Sequence, residues 1–368
     1  MLKYQIALTL INGIGPKLAR NLIAYLGSVE AVFSPKSHFE KIPGIGEIMA
    51  AKIRGIDQNS ILARAEEEIS FIARHKIKTA FFTDENYPER LTNCEDAPLL
   101  LYSKGDVNYD SVKAISIVGT RSASDYGKTL CEKLVKEIAE RHPGTLIVSG
   151  LAYGIDICAH RAALKNGLPT VAVLAHGLDR IYPPTHRQTA TEISKKGALL
   201  TEFMTGTNPD KPNFVRRNRI VAGLCDAVVV IESASKGGAL ITAGIGASYS
   251  RDVLAFPGRV GDEASAGCNR LIKTNIAGLI ESLDDLEYAL GWESPTNDNK
   301  ATQGYLFKAP DTPEEKTIMD LLISEKEMNL NLISVNTGIT IPKLSATLLD
   351  MEFKGMVKSR PGGLYKLL

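Results

Sequence analysis

Between about Ala80 and Leu290, short runs of consecutive apolar residues alternate with longer stretches in which apolar residues recur every three or four positions. Short apolar runs suit strands buried on both faces, and the 3.6-residue period suits helices laid over those faces. The spacing predicts six strands: Ala114 to Val118, Leu146 to Val148, Thr170 to Leu174, Leu199 to Thr201, Ala227 to Ile231 and Val253 to Phe256. Six strands separated by helices give an α/β class, a doubly wound parallel sheet, over 79–292. Residues 1–78 keep a helical pattern and form an all-helical N-terminal module. After Trp292 a polar stretch poor in hydrophobes, 293–310, reads as a linker. Residues 311–368 follow as a third unit. Pro313 opens a helix through Ile323, helical spacing recurs over Leu330 to Val335 and Ile341 to Lys354, and Met356 to Tyr365, with a Gly-Gly pair, reads as a hairpin. That order is winged-helix-like.

The 368 residues suffice for two or three domains with real cores. Lys plus Arg number 43 against 42 for Asp plus Glu, a formal net charge of +1, so any polyanion must be held by locally gathered cations and amides. The helical third unit carries 7 basic against 8 acidic residues, which disfavours duplex reading there and favours a protein-contact or auxiliary role. The start of the chain lacks a cationic leader, and no window reaches the roughly 20 apolar residues of a membrane helix, so a cytoplasmic protein without membrane contact is expected. Cys94, Cys131, Cys158, Cys225 and Cys268 include no CxxC pair and are odd in number, which favours buried free thiols over a disulfide scaffold or zinc. No metal or cofactor is expected.

The N-terminal module holds an internal repeat. Ile11 to Ala19, with Gly13, Gly15 and Lys17, is echoed 31 positions later by Ile42 to Ala50, with Gly44 and Gly46. In each copy a Gly-x-Gly turn lets two short helices meet, and the second helix starts with free amides suited to a backbone phosphate. The pattern resembles helix-hairpin-helix units. Residues 1–75 hold 9 basic and 7 acidic residues, so phosphate contact and glycine serving packing alone both stand open.

Ligands of doubly wound sheets sit at the carboxyl ends of strands. Those ends carry Gly119, Thr120, Arg121 and Ser122, then Ser149 and Gly150, then Gly177, Glu202, Glu232 with Ser233, and Pro257 with Gly258. Glycine admits close approach, hydroxyls donate, and Arg121 offers a forked cation, a set that favours an anion or nucleotide-chain site. A dinucleotide fingerprint is absent, because Gly119 is next followed by glycine only at Gly127. Gly127-Lys128-Thr129 has the end of a P-loop, but Ser122 stands at the required first glycine. Asp156 and His160, four apart on one helix, lack a third ligand or nucleophile and read as a structural hydrogen-bonded pair.

The stretch from Lys211 to Gly223 gathers Lys211, Phe214, Arg216, Arg217, Asn218 and Arg219. A cation for phosphate beside a ring for an unstacked base is an economical design for single strands. A helix start with Phe214 as core anchor and one arginine in an ion pair explains the same residues, and composition leaves both open.

Residues of about 80 to 290 resemble the DNA-processing protein A family, also called Smf. The matching runs are Ile117 to Arg121, Ser149 to Asp156, Ala159-His160, Gly177 to Asp179 with Tyr182-Pro183, Phe214 with Arg217 to Ile220, Gly238 to Ala243, and Phe256 to Gly258. His186 stands where Asn is common, and Asn275-Ile276-Ala277 where a Gly-Ala pair is usual. The resemblance implies an extended Rossmann-like domain, a homodimer through that domain, binding of single-stranded DNA in natural transformation, protection of incoming strands, and delivery of the recombinase RecA for homologous recombination. It carries the DNA site onto Gly119, Thr120, Arg121, Ser149, Gly150, Lys211, Phe214, Arg217, Asn218 and Arg219, with no catalytic residue. The alternative is a nucleotide-processing enzyme, an N-glycoside hydrolase of the lysine-decarboxylase-like group with Glu202 and Glu232 as acid or base, although that group's Pro-Gly-Gly-x-Gly-Thr loop is missing. A protein-only scaffold is the third reading.

Overall fold

The computed structural model describes residues 1–34, 39–292, 312–325, 327–360 and 363–367, and these form two compact units, 1–294 and 295–368. Every apolar run expected to be a parallel strand is one, with ends within one residue. The strands of the first unit are β1 (Lys78–Phe81), β2 (Leu100–Gly105), β3 (Ala114–Val118), β4 (Leu146–Ser149), β5 (Thr170–Val173), β6 (Ala198–Thr201), β7 (Ala227–Val230), β8 (Asp252–Ala255) and β9 (Gly278–Leu279). They pair in the order β1-β2-β6-β5-β4-β3-β7-β8-β9. From β6 to β9 all neighbours are parallel. β1 and β2 are antiparallel additions on the β6 edge, with Tyr102 opposite Thr201, so the sheet is mixed rather than wholly parallel. Strands β3 to β7 are buried along their whole length, as helices on both faces require.

The N-terminal helices, Leu2–Thr9, Pro16–Leu26, Glu47–Arg54 and Gln58–His75, do not stand apart from this sheet. Ile6, Leu8, Leu22 and Ile53 share one buried cluster with Phe81, Leu100, Tyr102 and Met204. The antiparallel pair exists because one of its faces is covered by this module. Polar contacts reinforce the docking: Glu68 accepts from the Thr205 amide (3.1 Å) and hydroxyl (2.5 Å), and Arg64 Nη2 donates to the Thr205 carbonyl (2.7 Å). The two repeat copies have one backbone shape. Gly13 and Gly44 take φ +91° and +85°, a region that favours glycine, and Gly15 and Gly46 precede their helices at φ −83°, ψ 174° and φ −82°, ψ 174°.

In the second unit, helices Pro313–Glu325, Leu330–Thr337 and Ile341–Phe353 enclose Ile318, Leu322, Ile333, Leu344 and Met351, beside strands β10 (Glu327–Asn329), β11 (Val357–Arg360) and β12 (Leu364–Leu367). β12 pairs antiparallel with both β11 and β10, the winged arrangement expected. The stretch 293–310, expected as a linker, lies outside the described residues. Among the described residues no single helix is long and apolar enough to cross a membrane. All five cysteines are free and buried. Asn275, in the stretch Asn275-Ile276-Ala277, takes φ 56°, a conformation that Asn tolerates better than most residues.

Candidate functional site

Strand order reverses at β3, whose neighbours β4 and β7 continue in opposite directions, so the crevice beyond the ends of β3 and β7 is the usual ligand position of such a sheet. Here the chain fills it with its own carboxylate. Glu232, buried at the end of β7, accepts from the Ser124 amide (2.8 Å) and hydroxyl (2.5 Å), where the helix Asp125–Arg141 begins. Gly127 lies in the first turn, and a Cβ there would sit 2.6 Å from Glu232 Oε2. A helix N-terminus that would otherwise attract a phosphate is thereby neutralised from within. Gly127-Lys128-Thr129 lies inside the helix, as the refusal of a P-loop required.

The open part of the rim lies to the β4 and β5 side. Arg121 is exposed, and its guanidinium lies 5.0 Å from the centre of the Phe214 ring. Lys211 is exposed at the first position of the helix Lys211–Gly223. Neither has an ion-pair partner among the described residues. Phe214 and Asn218 are half-buried on that helix. Arg121, Lys211 and Phe214 thus present two unpaired cations and a partly open ring on one rim.

Other expected site residues are spent on the fold. Arg217 is 4% exposed, donates from Nη1 to the Val173 carbonyl, and packs on Gly150 so tightly that a Cβ there would lie 2.0 Å from Nη1. Gly150 therefore admits a guanidinium of its own chain. Ser149 is fully buried and donates to the Ile117 carbonyl (2.7 Å). Arg219 is 7% exposed, donates to the Asp96 carbonyl, and shares Glu202 Oε2 with Arg216 at 2.6 and 2.7 Å. Gly119 and Thr120 shape the loop: the Thr120 amide donates to the Glu232 carbonyl (2.7 Å), and a Cβ on Gly119 would meet Ile155 at 2.4 Å. The two acidic candidates are equally committed, Glu202 to two arginines and Glu232 to Ser124.

Asp156 and His160 do not bond as a pair. Asp156 Oδ2 accepts from the Ala152 amide (3.4 Å), whereas His160 Nδ1 meets Thr170 Oγ1 at the start of β5 (2.7 Å). Burial pushes Asp156 upward while the nearby Arg217 charge opposes it. Burial lowers Arg217 to about 10 and His160 to about 3, so the imidazole is neutral at pH 7. His186, the departure from the family's Asn, is buried and donates from Nδ1 to the Leu151 carbonyl (2.9 Å), which fixes a loop whose Leu151 has φ 59°.

In the repeat, Gly15 and Gly46 have open space where a Cβ would be, Gly13 faces Lys52 Nζ at 3.1 Å, and Gly44 faces Leu18 at 3.5 Å. Lys17 reaches Glu95 of the central region rather than standing free. The sequence reading passed over Tyr153 and Tyr182 as site residues, although both lie in the motifs quoted above. Their rings are exposed on the same rim.

The family model described as DNA recombination-mediator protein A matches residues 78–291, the DprA winged helix domain matches 308–363, and the SAM-like helix-hairpin-helix tandem matches 6–56. Protein Smf of Synechocystis is 32% identical over 397 residues, covering 99% of this chain and 98% of that protein. DNA processing protein DprA of Streptococcus pneumoniae is 39% identical over 203 residues, 55% of this chain and 71% of that one. An X-ray structure of the Streptococcus pneumoniae protein superposes with a TM-score of 0.64 at 31% identity, covering 78% of this chain and 98% of that one. A Helicobacter pylori DNA processing protein A, described for its single-stranded DNA binding mode, superposes with a TM-score of 0.53 at 30% identity, covering 59% of this chain and 97% of that one. With one model spanning more than half the chain and a full-length relative at 32% identity, the chain belongs to the DprA/Smf family of DNA-processing, recombination-mediator proteins.

Proposed function

We propose that this protein is a sequence-tolerant, non-enzymatic binder of single-stranded DNA in natural transformation. In this reading it works in the cytoplasm as a homodimer, protects incoming strands and passes them to RecA. The observation that carries the binding claim is the rim of Arg121, Lys211 and Phe214: two unpaired cations beside a partly open ring. Such a set suits phosphate and an unstacked base together, and a duplex offers no unstacked base. The Helicobacter pylori relative, named for single-stranded DNA binding, supports the same ligand. The closed crevice under Glu232 and the engagement of Glu202 by two arginines weigh against nucleotide hydrolysis. RecA transfer, dimerisation and the transformation setting rest on family resemblance.

Anisotropy of a labelled oligothymidine against its duplex tests the reading. The single strand should bind better, and its log K should fall linearly with log salt at about −0.7 per phosphate neutralised. Arg121→Ala and Lys211→Ala should each flatten that slope by about 0.7, whereas Phe214→Ala should weaken binding roughly tenfold at nearly constant slope. No binding at low salt, or an Arg121→Ala protein indistinguishable from wild type, sinks the proposal. Turnover of nucleoside monophosphates by the pure protein would replace it with the enzymatic reading.

A further inference from the structure

Tyr153 and Tyr182 are 46% and 43% exposed at the ends of neighbouring parallel strands. Tyr153 follows β4, in the loop that leads into the helix Ile155–Lys165, and Tyr182 lies in the loop after β5. Each is held in place from below. The Tyr153 ring stands edge-on against the buried His186 ring, centroids 5.0 Å apart at 68°, and the Thr185 hydroxyl reaches its phenol oxygen at 3.4 Å. The Tyr182 amide donates to Nε2 of the buried His176 (3.2 Å), whose Nδ1 donates to the Gly177 carbonyl (2.8 Å). Burial keeps His176 below its ordinary value, which preserves Nε2 as the acceptor. Beyond this, the Tyr182 ring lies 5.9 Å from the Phe214 ring, tilted by 59°.

The Tyr153 ring and the Tyr182 backbone are thus each fixed against a buried imidazole, while both rings stay partly exposed. The segment Tyr182 to His186 joins them into one row: Phe214 beside Tyr182, and Thr185 and His186 against Tyr153. Anchoring in advance lowers the ordering cost of each contact, since a tyrosine has few rotatable bonds left to fix.

We propose that Tyr182 and Tyr153 are further base-stacking residues, and that the rim takes a run of about three unpaired nucleotides, one for each of its three rings. The proposal rests on the single-strand reading of this rim and extends it along β5 and β4.

Full-length protein and 5′-labelled oligothymidines of graded length test it. Tyr182→Ala and Tyr153→Ala should each weaken binding of the longer oligomers roughly tenfold with an unchanged salt slope. Tyr182→Phe and Tyr153→Phe, which keep the ring and its packing, should bind within about twofold of wild type, since stacking uses the ring face. In wild type, an abasic residue within the bound run should weaken binding, and the alanine variants should lose that sensitivity. If both alanine variants match wild type while Arg121→Ala and Phe214→Ala weaken binding, the row is refuted and the single-strand reading stands. If none of the four changes binding, the single-strand reading itself fails. Phenylalanine variants as weak as the alanine ones would assign the phenol oxygens to phosphate and overturn stacking.

Discussion

Gly154→Ala should be among the most damaging single-methyl changes in the chain, lowering stability and oligonucleotide binding together. Gly154 stands at φ 76°, ψ −122° before the helix Ile155–Lys165, in a region L residues rarely enter. A Cβ there would sit 2.1 Å from the Thr120 carbonyl oxygen, 2.7 Å from the Arg121 carbonyl carbon and 2.8 Å from its Cα. These are backbone atoms, and the Thr120 carbonyl already accepts from the Ile155 amide at 3.1 Å, so the loop cannot yield without losing that bond. Backbone strain of about 1–3 kcal/mol adds to overpacking of about 1–3 kcal/mol. At about 2–4 °C per kcal/mol for a unit of this size, the melting temperature should fall by roughly 5–20 °C. Because the displaced segment carries Arg121, affinity for oligothymidine should fall at least as far as in Arg121→Ala. Gly144→Ala is the matched control: its φ is +85°, but no atom lies within 4 Å of the new methyl, so only strain of about 1 kcal/mol applies. Equal melting temperatures for the two variants would show that the loop tolerates displacement.

The same glycines show how far the sequence could be read. The parallel strands were legible because each is a short apolar run that must be covered on both faces, and β3, from Ala114 to Val118, coincides with its expectation at both ends. β1, β2 and β9 escaped. β1 is a half-exposed run of four residues, β9 has only two, and β2 turns from Leu100-Leu101 to Ser103-Lys104-Gly105. What makes β1 and β2 strands is the covering N-terminal module, a tertiary fact. At the site, glycines expected to admit a ligand are instead approached by side chains of the same chain. Gly150 is approached by Arg217 of the same chain, and Gly127 by Glu232. Likewise, four cations within nine residues look alike in composition, yet a helix turns each by about 100°. Lys211 stays free, Arg216 and Arg219 share Glu202, and Arg217 turns inward over Gly150.

Arg217→Met should destabilise the first unit by about 3–5 kcal/mol at neutral pH, the usual cost of leaving a buried charge without its counterpart. The guanidinium is buried, donates to the Val173 carbonyl, and is the charge that opposes the upward shift burial imposes on Asp156. Methionine fills much of the volume but supplies no charge, so Asp156 rises further. The sign follows from linkage: a carboxyl raised in the folded state holds a proton that the unfolded chain has released, so stability declines as pH climbs from its unfolded value, near 4, through the folded one. Urea midpoints measured from pH 4 to 8 should therefore diverge, with the variant closest to wild type at the acid end and falling away as pH rises. Asp156→Asn placed on Arg217→Met removes the orphaned charge and should restore part of the loss and flatten the profile. Asp156→Asn alone should destabilise as well, because the buried guanidinium then lacks its counter-charge. A gap between Arg217→Met and wild type that is constant across this pH range, unchanged by Asp156→Asn, would mean that packing rather than charge holds Arg217 beneath the rim.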